Sequence, residues 1–341
     1  MKFVQARPAP KKVELDATDR KILGALSQNV RLPASTIAKK IGLSRDAVSY
    51  RIANLKKRGV LQGSRTVVNI APLGYTATHV FLQLNQPVPS AEEALIKKFK
   101  EYPFVRAIIK FNGKYDFELA VVHKNLQELD EHVERIITDA GEYLQSHDIL
   151  FITKPLAARI FPKNFLPDKH VLKHKPVAVT KEPKLDATDA KILTAVAREG
   201  DMPLHKLGQK VKLSADGSKY RLRQLQASGI IKGFVPVINY DVIGYNVYAI
   251  LLSIKQFNAT KEATLREFLE QNNDVLWGVK TMGKYNVLLY VCTKDPNDLV
   301  KTTSSLRSYF PGDIAEYETL INYEEYKYAY FLEMIAQRGP S

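Results

Sequence analysis

The sequence predicts an α+β protein in which a winged helix-turn-helix followed by a ferredoxin-like βαββαβ domain occurs twice. Three observations predict this fold. The chain repeats itself at an offset of 170 residues, since Leu15–Asp19 (LDATD) returns at Leu185–Asp189 and Gly113–Tyr115 returns at Gly283–Tyr285. Each repeat opens with a pattern of three capped helices, and apolar segments in βαββαβ order follow. The repeat is too long for a solenoid unit, so each half should carry one copy of every site.

Changes in composition and pattern divide the chain into five segments. They are 1–70 (first winged helix-turn-helix), 71–153 (first ferredoxin-like domain), 154–183 (connector), 184–240 (second, degenerate winged helix-turn-helix) and 241–335 (second ferredoxin-like domain). The connector from Lys154 to Pro183 is rich in lysine and proline, so we expect it to be extended and semi-rigid. Such a connector can span a domain, so each half can pair with the other half or with another chain.

Basic and mildly acidic segments alternate along the chain. The net charge of +14 divides into +11 over residues 1–70, −4 over 71–153, +5 over 154–183, +5 over 184–240 and −3 over 241–341. Compact basic segments indicate a polyanionic partner, most often a nucleic acid such as double-stranded DNA. The alternative is that this charge serves solubility alone.

The composition also bears on the cellular compartment. The single cysteine, Cys292, excludes an intramolecular disulfide and fits a reducing compartment. No apolar run is long enough to cross a membrane, and the first residues lack the apolar core of a signal peptide. We therefore expect a cytoplasmic protein with no membrane partner. Abundant lysine, tyrosine and isoleucine with few methionines are typical of archaeal or thermophilic proteins.

The first basic segment predicts three short helices. Asp16 and Ser44 are suited to cap the first and third of them through their side-chain oxygens. In the third helix Val48, Ile52 and Leu55 recur at helical spacing, so they should face the core. The opposite face of this helix is then left to solvent or to a partner.

A wing should follow the third helix. We expect a short hairpin in which Val60–Leu61 and Thr66–Val68 flank a turn at Gln62–Arg65. In this motif the third helix enters the DNA major groove with its N-terminal residues, where short polar groups read bases and Lys or Arg pair with phosphates. The predicted DNA contacts of the first copy are Ser44, Arg45, Asp46, Ser49, Tyr50, Arg51, Lys56, Lys57 and Arg58. The alternative is a solvated face of a protein-interaction module.

The second copy of the helix-turn-helix is weaker. Ala215 stands where the first copy has Arg45, and Ser218 replaces the core residue Val48. Gly217 also lies inside the helix, where glycine costs about 1 kcal/mol. We predict that this copy contacts DNA with fewer phosphate contacts, through Lys219, Arg221 and Arg223. An asymmetric DNA site follows, with half-sites roughly 10 bp or a multiple apart; the alternative is a module that only packs.

The acidic segments predict the ferredoxin-like domains. In the first half the elements are Thr78–Leu84, Ala91–Glu101, Val105–Phe111, Tyr115–Val122, Leu126–Tyr143 and Asp148–Thr153; in the second half they are Tyr248–Ile254, Glu262–Gln271, Trp277–Met282, Tyr285–Cys292, Leu299–Ser308 and Tyr317–Tyr323. Such a sheet leaves one face without helices. We expect the two sheets to pair, either within the chain as a pseudo-dimer or between chains in a homo-oligomer.

Both halves resemble the Lrp/AsnC (feast/famine) transcription regulators. The resemblance rests on LDATDRKIL, on IGLSRDAVSYRIANLKKRGVL and on GKYDFELAV, which stands in place of that family's Gly-x-Tyr-Asp turn. It implies a sequence-specific DNA-binding regulator that dimerises through its sheet and is modulated by a small effector, commonly an amino acid, near this turn. The effector residues that the resemblance implies are Gly113, Tyr115, Asp116, Gly283, Tyr285 and Asn286. Asp116 would accept a hydrogen bond from an amino group, and Asn286 has lost that charge.

Other functions remain as alternatives. Sirohaem decarboxylases resemble this family in fold, but they use a histidine in the corresponding turn, where this chain has Gly113 and Gly283. A ligand sensor or assembly scaffold with vestigial helix-turn-helix modules is a third interpretation. We predict no enzymatic activity and no cofactor. We also predict no metal site, because His170 and His174 lack a third ligand. The tyrosine-rich run Tyr323–Phe331 is expected to be a C-terminal strand or an interface element.

Overall fold

The computed structural model describes residues 12–166 and 185–338. The first half contains α1 (Ala17–Gln28), α2 (Ala34–Ile41), α3 (Arg45–Lys57), β1 (Leu61–Val68), β2 (Thr76–Leu84), α4 (Pro89–Glu101), β3 (Val105–Asn112), β4 (Phe117–His123), α5 (Leu126–Ala140) and β5 (Leu144–Ala158). The second half contains α6 (Ala187–Ala197), α7 (Leu204–Val211), α8 (Ala215–Ala227), β6 (Ile231–Ile238), β7 (Asn246–Ile254), α9 (Ala259–Gln271), β8 (Val275–Met282), β9 (Val287–Thr293), α10 (Pro296–Tyr309), β10 (Ile314–Tyr328) and α11 (Glu333–Arg338). The predicted α+β fold is confirmed, and both halves have the same element order up to the last strand, after which the second half adds α11.

Side-chain caps begin the helices that the sequence analysis singled out. Asp16 accepts a hydrogen bond from the backbone N–H of Asp19 at 2.6 Å, and Ser44 accepts one from Ala47 at 3.1 Å. In the second half Ser214 caps α8 in the same way, with a 3.0 Å bond from Gly217. These caps satisfy N–H groups that the helix itself leaves without a partner.

The two sheets of the chain pair with each other and close an eight-stranded barrel. Its strand order is β10-β3-β4-β2-β5-β8-β9-β7, and β7 pairs with β10 to complete the circle. The halves are therefore joined edge to edge along β5–β8 and along β10–β3. Of the two arrangements that the connector permits, the structure has the pseudo-dimer within one chain.

The two junctions between the halves are related by the sequence repeat. We call the residue 170 positions later, or earlier, the counterpart of a given residue. Ala158 pairs with Trp277 across β5–β8, and their counterparts Tyr328 and Ala107 pair across β10–β3. The strand register of the interface thus obeys a pseudo-twofold symmetry, so counterparts occupy equivalent places in the barrel.

The expected hairpin wing is wrong. Residues Leu61–Val68 form one continuous strand with no turn at Gln62–Arg65, and this strand pairs antiparallel with β6 of the other half. Arg65 lies opposite Val235, its own counterpart, at the centre of this ribbon. Backbone groups of a strand need partners, and here the partners come from the second half rather than from a local reversal of the chain.

The chain between the halves also differs from the expected connector. Instead of ending at Thr153, β5 continues to Ala158, because residues 154–158 find backbone partners on β8. Beyond it, Phe161 and Phe165 are buried and stacked, with ring centroids 4.1 Å apart. His170, His174 and the rest of the connector lie outside the described residues.

Each helix-turn-helix domain packs against residues of the opposite half of the chain. The core of the first one, around Leu23, is continuous with Ile243 and Tyr245 of the second half. The core of the second one, around Leu193, is continuous with Leu73 and Tyr75 of the first half. The barrel and both helix-turn-helix domains are therefore interlocked.

Candidate nucleic-acid interface and effector turn

The outward face of α3 is the face that the sequence analysis assigned to DNA. Val48 and Leu55 are fully buried, whereas Tyr50 is 73% exposed. The remaining outward positions are all exposed, and they are Ser44, Arg45, Asp46, Ser49, Ala53, Lys56 and Lys57. The Ser49 hydroxyl donates a hydrogen bond to the Arg45 carbonyl at 3.0 Å, which keeps it close to the helix. A row of polar and cationic groups is thus presented outward from the capped start of the helix.

Two of the predicted DNA contacts are engaged within the domain instead. Arg51 donates hydrogen bonds of 2.7 Å to both Asp16 and Asp19, and Arg58 lies 3.4 Å from Asp19 and bonds to the Glu14 carbonyl. Burial opposes ionisation of Asp16, but hydrogen bonds from Asp19 and Arg51 outweigh it and hold its pKa below the ordinary value. These arginines tie α3 to the start of α1.

The second half repeats this tie. Arg221 lies 2.5 Å from Asp186 and 3.2 Å from Asp189. The backbone N–H of Asp189, together with Arg221, lowers the pKa of Asp186. The tie explains why LDATD and the Tyr-Arg pair recur in both halves: carboxylates at the start of the first helix fix the third helix by charge-assisted hydrogen bonds.

The remaining cations of α3 differ in their surroundings. Lys56 lies 3.5 Å from Asp201 of the second half. Arg45 and Lys57 are exposed, and within the described part of the chain neither forms an ion pair with a carboxylate. Arg45 and Lys57 are therefore the cations of this helix most open to a phosphate.

The outward face of α8 carries a different set of side chains. Lys219 and Arg223 are exposed, and Tyr220 is 62% exposed. Their counterparts in the first half are Ser49, Ala53 and Tyr50, so the second helix has two cations where the first has small residues. On the inner face of α8, Ser218 is fully buried and its hydroxyl has no hydrogen-bond partner.

Direct contacts fix the two helix-turn-helix domains to each other. Arg31 donates hydrogen bonds to the carbonyls of Gly200 at 2.7 Å and Met202 at 2.9 Å, and its guanidinium lies 5.1 Å from the centroid of the Phe234 ring. Ser64 on β1 bonds to the carboxylate of Asp201. This junction could not be predicted from local sequence patterns, because it joins residues of opposite halves.

The effector turns lie where the two halves meet. Gly113 and Gly283 have φ values of +149° and +145°, a region that favours glycine. A Cβ atom on Gly113 would lie 2.9 Å from Leu320, and one on Gly283 would overlap the backbone oxygen of Ile149. A side chain at either position would therefore be strained by the backbone conformation, and at Gly283 it would also meet the backbone of β5.

The tyrosines of both turns are buried across the interface. Tyr115 and Tyr285 are 0% exposed, and Tyr115 bonds to Asp148. Burial first, and then the Asp148 carboxylate, raises the pKa of Tyr115. Lys114 reaches the Tyr285 hydroxyl at 3.3 Å and Glu318 of the other half at 3.4 Å. Each turn is therefore part of the junction between the halves.

Asp116 and Asn286 fasten the ends of neighbouring strands. Asp116 accepts a 2.7 Å hydrogen bond from the N–H of Leu84, and Asn286 exchanges bonds of 3.0 and 2.8 Å with the backbone of Ile254. Burial raises the pKa of Asp116, against the lowering effect of the Leu84 N–H. Both side chains are half-buried, so each retains a solvent-facing side.

Further features bear on other kinds of site. Within residues 12–166 and 185–338, no group of three or more His, Cys, Asp or Glu side chains is arranged to hold a metal ion. Cys292 is buried, and burial raises the pKa of its thiol. None of the helices described above is both long and apolar enough to cross a membrane.

Comparison with known proteins places both helix-turn-helix domains. Residues 15–56 match the AsnC-type helix-turn-helix domain, and residues 185–232 match a winged helix-turn-helix DNA-binding domain. Over nearly its whole length the chain also matches the sirohaem decarboxylase NirDL, with a TM-score of 0.62 over 94% of this chain and 96% of that one. Their sequence identity is 13%, so this likeness concerns the fold alone.

Sequence relatives are transcription regulators about half as long as this chain. The proline dehydrogenase transcriptional activator of Rhodobacter capsulatus is 33% identical over 33% of this chain and 75% of its own length. The regulator LrpA of Pyrococcus horikoshii is 34% identical over 30% of this chain and 70% of its own. The leucine-responsive regulatory protein of Rhizobium meliloti is 30% identical over 37% of this chain and 82% of its own. The chain therefore belongs to the Lrp/AsnC family of DNA-binding transcription regulators.

Proposed function

We propose that the protein is a sequence-specific transcription regulator whose two unequal recognition helices, α3 and α8, read one asymmetric DNA site. The observation that carries this proposal is the pair of outward faces. Both start at a serine cap and both expose a tyrosine, Tyr50 or Tyr220, but Ser49 and Ala53 of the first are Lys219 and Arg223 in the second. Small polar and cationic side chains recognise different base edges in the major groove.

The geometry of the pair favours a single composite site. The β1–β6 ribbon, Arg31 and Asp201 join the two helix-turn-helix domains directly. A rigid pair of readers selects half-sites at one spacing and in one order. The order here is fixed by the chain, since the two readers are not interchangeable.

Phosphate contacts are assigned to the cations that the domain leaves open. In α3 these are Arg45 and Lys57, whereas Arg51 and Arg58 already bind Asp16 and Asp19. An arginine held by two carboxylates brings little net charge to a phosphate. The salt dependence of DNA binding should therefore arise from Arg45 and Lys57 much more than from Arg51.

Selection of bound duplexes from a random library at near-physiological salt tests the proposal. Wild type should enrich an asymmetric motif with two dissimilar half-sites. Ser49→Lys combined with Ala53→Arg gives α3 the two cations that distinguish the outward face of α8, so the selected motif should become more symmetric. Lys97→Ala, an exposed change on α4, is the matched control and should leave the motif unchanged. Binding without any enriched motif would overturn sequence-specific reading.

We further propose that a small effector with a cationic group, such as an amino acid, binds beside Asp116 in the first half only. The support is the carboxylate of Asp116, which is only partly buried and whose counterpart Asn286 is uncharged. A carboxylate can pair with an ammonium group, and an amide cannot do so with comparable strength. One effector per chain is expected.

Calorimetric titration with individual amino acids, one at a time, tests this second proposal. Wild type should bind one equivalent, and Asp116→Asn should abolish binding because it copies the second half. Asn286→Asp is the matched variant and should create a second equivalent. A stoichiometry that neither variant changes would place any effector elsewhere.

A further inference from the structure

A buried polar cluster spans the two halves on one side of the barrel. Glu118 is 1% exposed, and its two carboxylate oxygens are hydrogen-bonded to Nδ1 of His79 and to the hydroxyl of Tyr290. The Trp277 ring stacks on the His79 ring, with centroids 6.0 Å apart and planes inclined by 16°. His79 and Glu118 belong to the first half, and Tyr290 and Trp277 to the second.

The equivalent place on the other side of the pseudo-twofold axis is apolar. The counterparts of His79 and Glu118 are Ala249 and Leu288, and those of Trp277 and Tyr290 are Ala107 and Ala120. All four are at most 4% exposed. The barrel thus holds one polar cluster and one apolar cluster at positions that the strand register makes equivalent.

The junction between the helix-turn-helix domains shows a second, independent asymmetry. Arg31 and Asp201 are counterparts of opposite charge. Asp201 is held by Ser64 and lies 3.5 Å from Lys56, whereas Arg31 lies over the ring of Phe234, the counterpart of Ser64. Each charge therefore meets a side chain that suits it only because the opposite half provides it.

Pairing of like halves would break both arrangements. In a barrel built from the first halves of two chains, Glu118 of each chain would face Ala120 of the other. The carboxylate would then lose the hydrogen bond from the hydroxyl of Tyr290. Two second halves would bring Asp201 against Phe234, where no hydroxyl replaces that of Ser64. Glu118 is buried, so the loss of its partner is strongly unfavourable because the carboxylate stays desolvated. The side chain of Asp201 is 36% exposed, so water replaces part of its lost hydrogen bond and its penalty is smaller.

We propose that the two halves have become mutually selective partners, so that each pairs only with the opposite half and excludes a second copy of itself. Glu118 with Tyr290 enforces this choice in the barrel, and Asp201 with Ser64 enforces it between the helix-turn-helix domains. Specificity here is a difference between two pairings, and it comes from the penalty on the wrong one. This inference does not depend on what the recognition helices bind.

A first test recreates the like-half environment inside the intact chain. In a chain that carries Ala249→His, the counterpart of His79, Leu288→Glu places a second carboxylate beside Ala120, as in a pair of first halves. Leu288→Met in the same background is the control for side-chain shape. We expect Leu288→Glu to lower the equilibrium constant for folding at least about 100-fold more than Leu288→Met. Adding Ala120→Tyr supplies the missing hydroxyl. We expect it to raise the equilibrium constant for folding of the Leu288→Glu variant by at least about tenfold, measured by urea unfolding. Equal stability of the Met and Glu variants, or no recovery, would overturn the proposal.

A second test counts the pairs that form when the choice is free. A protease site inserted between residues 166 and 185 allows the chain to be cut after it has been unfolded. The fragments are then refolded together with those of a cut, isotope-labelled copy. Native mass spectrometry then distinguishes unlike pairs from like pairs. We expect like pairs to stay below about a tenth of the total, and Glu118→Leu combined with Tyr290→Phe and Asp201→Ser to raise that fraction. A statistical mixture from the wild-type chain would refute mutual selection.

Discussion

Ser218 in α8 occupies the buried place that Val48 has in α3, and its hydroxyl has no hydrogen-bond partner. Both side chains are 0% exposed. A buried hydroxyl without a partner costs roughly 1–3 kcal/mol relative to one in water. The helix α8 thus carries a local penalty that α3 does not, and the two helices differ in stability as well as in surface.

Ser218→Val should therefore stabilise the protein by about 1–2 kcal/mol, because it removes the unsatisfied hydroxyl and restores apolar contacts. Val48→Ser is the matched change in the first half, and it should destabilise the protein by about the same amount. The measurement is the urea midpoint at constant slope. A Ser218→Val variant no more stable than wild type would mean that the hydroxyl is satisfied in solution.

Arg51→Met separates a structural from a DNA-contacting role. Asp19 is 5% exposed and would keep only the more distant Arg58 as a cationic partner, so we expect a loss on the order of 1–3 kcal/mol in stability. The slope of log affinity for DNA against log salt should hardly change. Arg45→Ala should instead reduce that slope by about 1 with little effect on stability. The opposite pattern would make Arg51 a phosphate ligand.

Glu262 should contribute to stability only above acidic pH. Hydrogen bonds from Lys154 and Arg266, and a further one from Lys280, lower its pKa to about 2 from 4.5. A lowered pKa in the folded state means that the unfolded chain binds the proton more tightly, so stability is lost as the pH falls from about 4.5 towards 2. Glu262→Gln should cost on the order of 1–2 kcal/mol at pH 7, after allowance for solvent screening.

The same variant should flatten the acid limb of the stability curve. Below about pH 2 the carboxyl is protonated in both states, so wild type and Glu262→Gln should converge there. Urea unfolding at a series of pH values measures the difference. A gap that stays constant down to the lowest pH would show that packing, rather than charge, explains the effect.

A small cavity beside the second helix-turn-helix should be fillable. It is lined by Tyr75, Phe331, Ile335 and Ala336, among others. In the first half the counterpart of Ala336 is Leu166, whose side chain closes on Gly24 of α1. In the second half Thr194 stands where the first half has Gly24, so a leucine at 336 needs a smaller residue at 194. Ala336→Leu combined with Thr194→Ala should stabilise by about 1 kcal/mol, and Leu166→Ala should destabilise by about 2 kcal/mol or more. Thermal unfolding of both variants checks this, and a destabilised double variant would indicate a site that cannot expand.

Much of the fold could be predicted because its causes are local. Caps such as Asp16 and Ser44, and apolar spacing such as that of Val48 and Leu55, act within one helix, and the βαββαβ order follows from successive short patterns. The hairpin wing could not be predicted correctly, since the partner of β1 is β6, far away in sequence. A strand that pairs at long range looks the same, residue by residue, as a strand that turns back.

The candidate site was predictable to a similar extent. The outward face of α3 follows from helical periodicity, and the structure exposes it. The engagement of Arg51 by Asp16 and Asp19 was not foreseen, although the joint recurrence of LDATD and Tyr-Arg in both halves pointed to a shared structural role. The cluster of Glu118 and Tyr290 requires knowledge of which strands meet, and only the differences between counterparts mark it in the sequence.

Because each helix-turn-helix domain packs against the opposite half, the order of synthesis on the ribosome affects how the protein folds. Leu23 of the first domain shares its core with Tyr245, which is synthesised long after α1 has emerged. Until then this apolar surface lacks its packing partners from the second half, so the first helix-turn-helix domain is incompletely folded while synthesis continues. A chain truncated before Tyr245 would lack the second-half part of this core and leave the apolar side of α1 exposed.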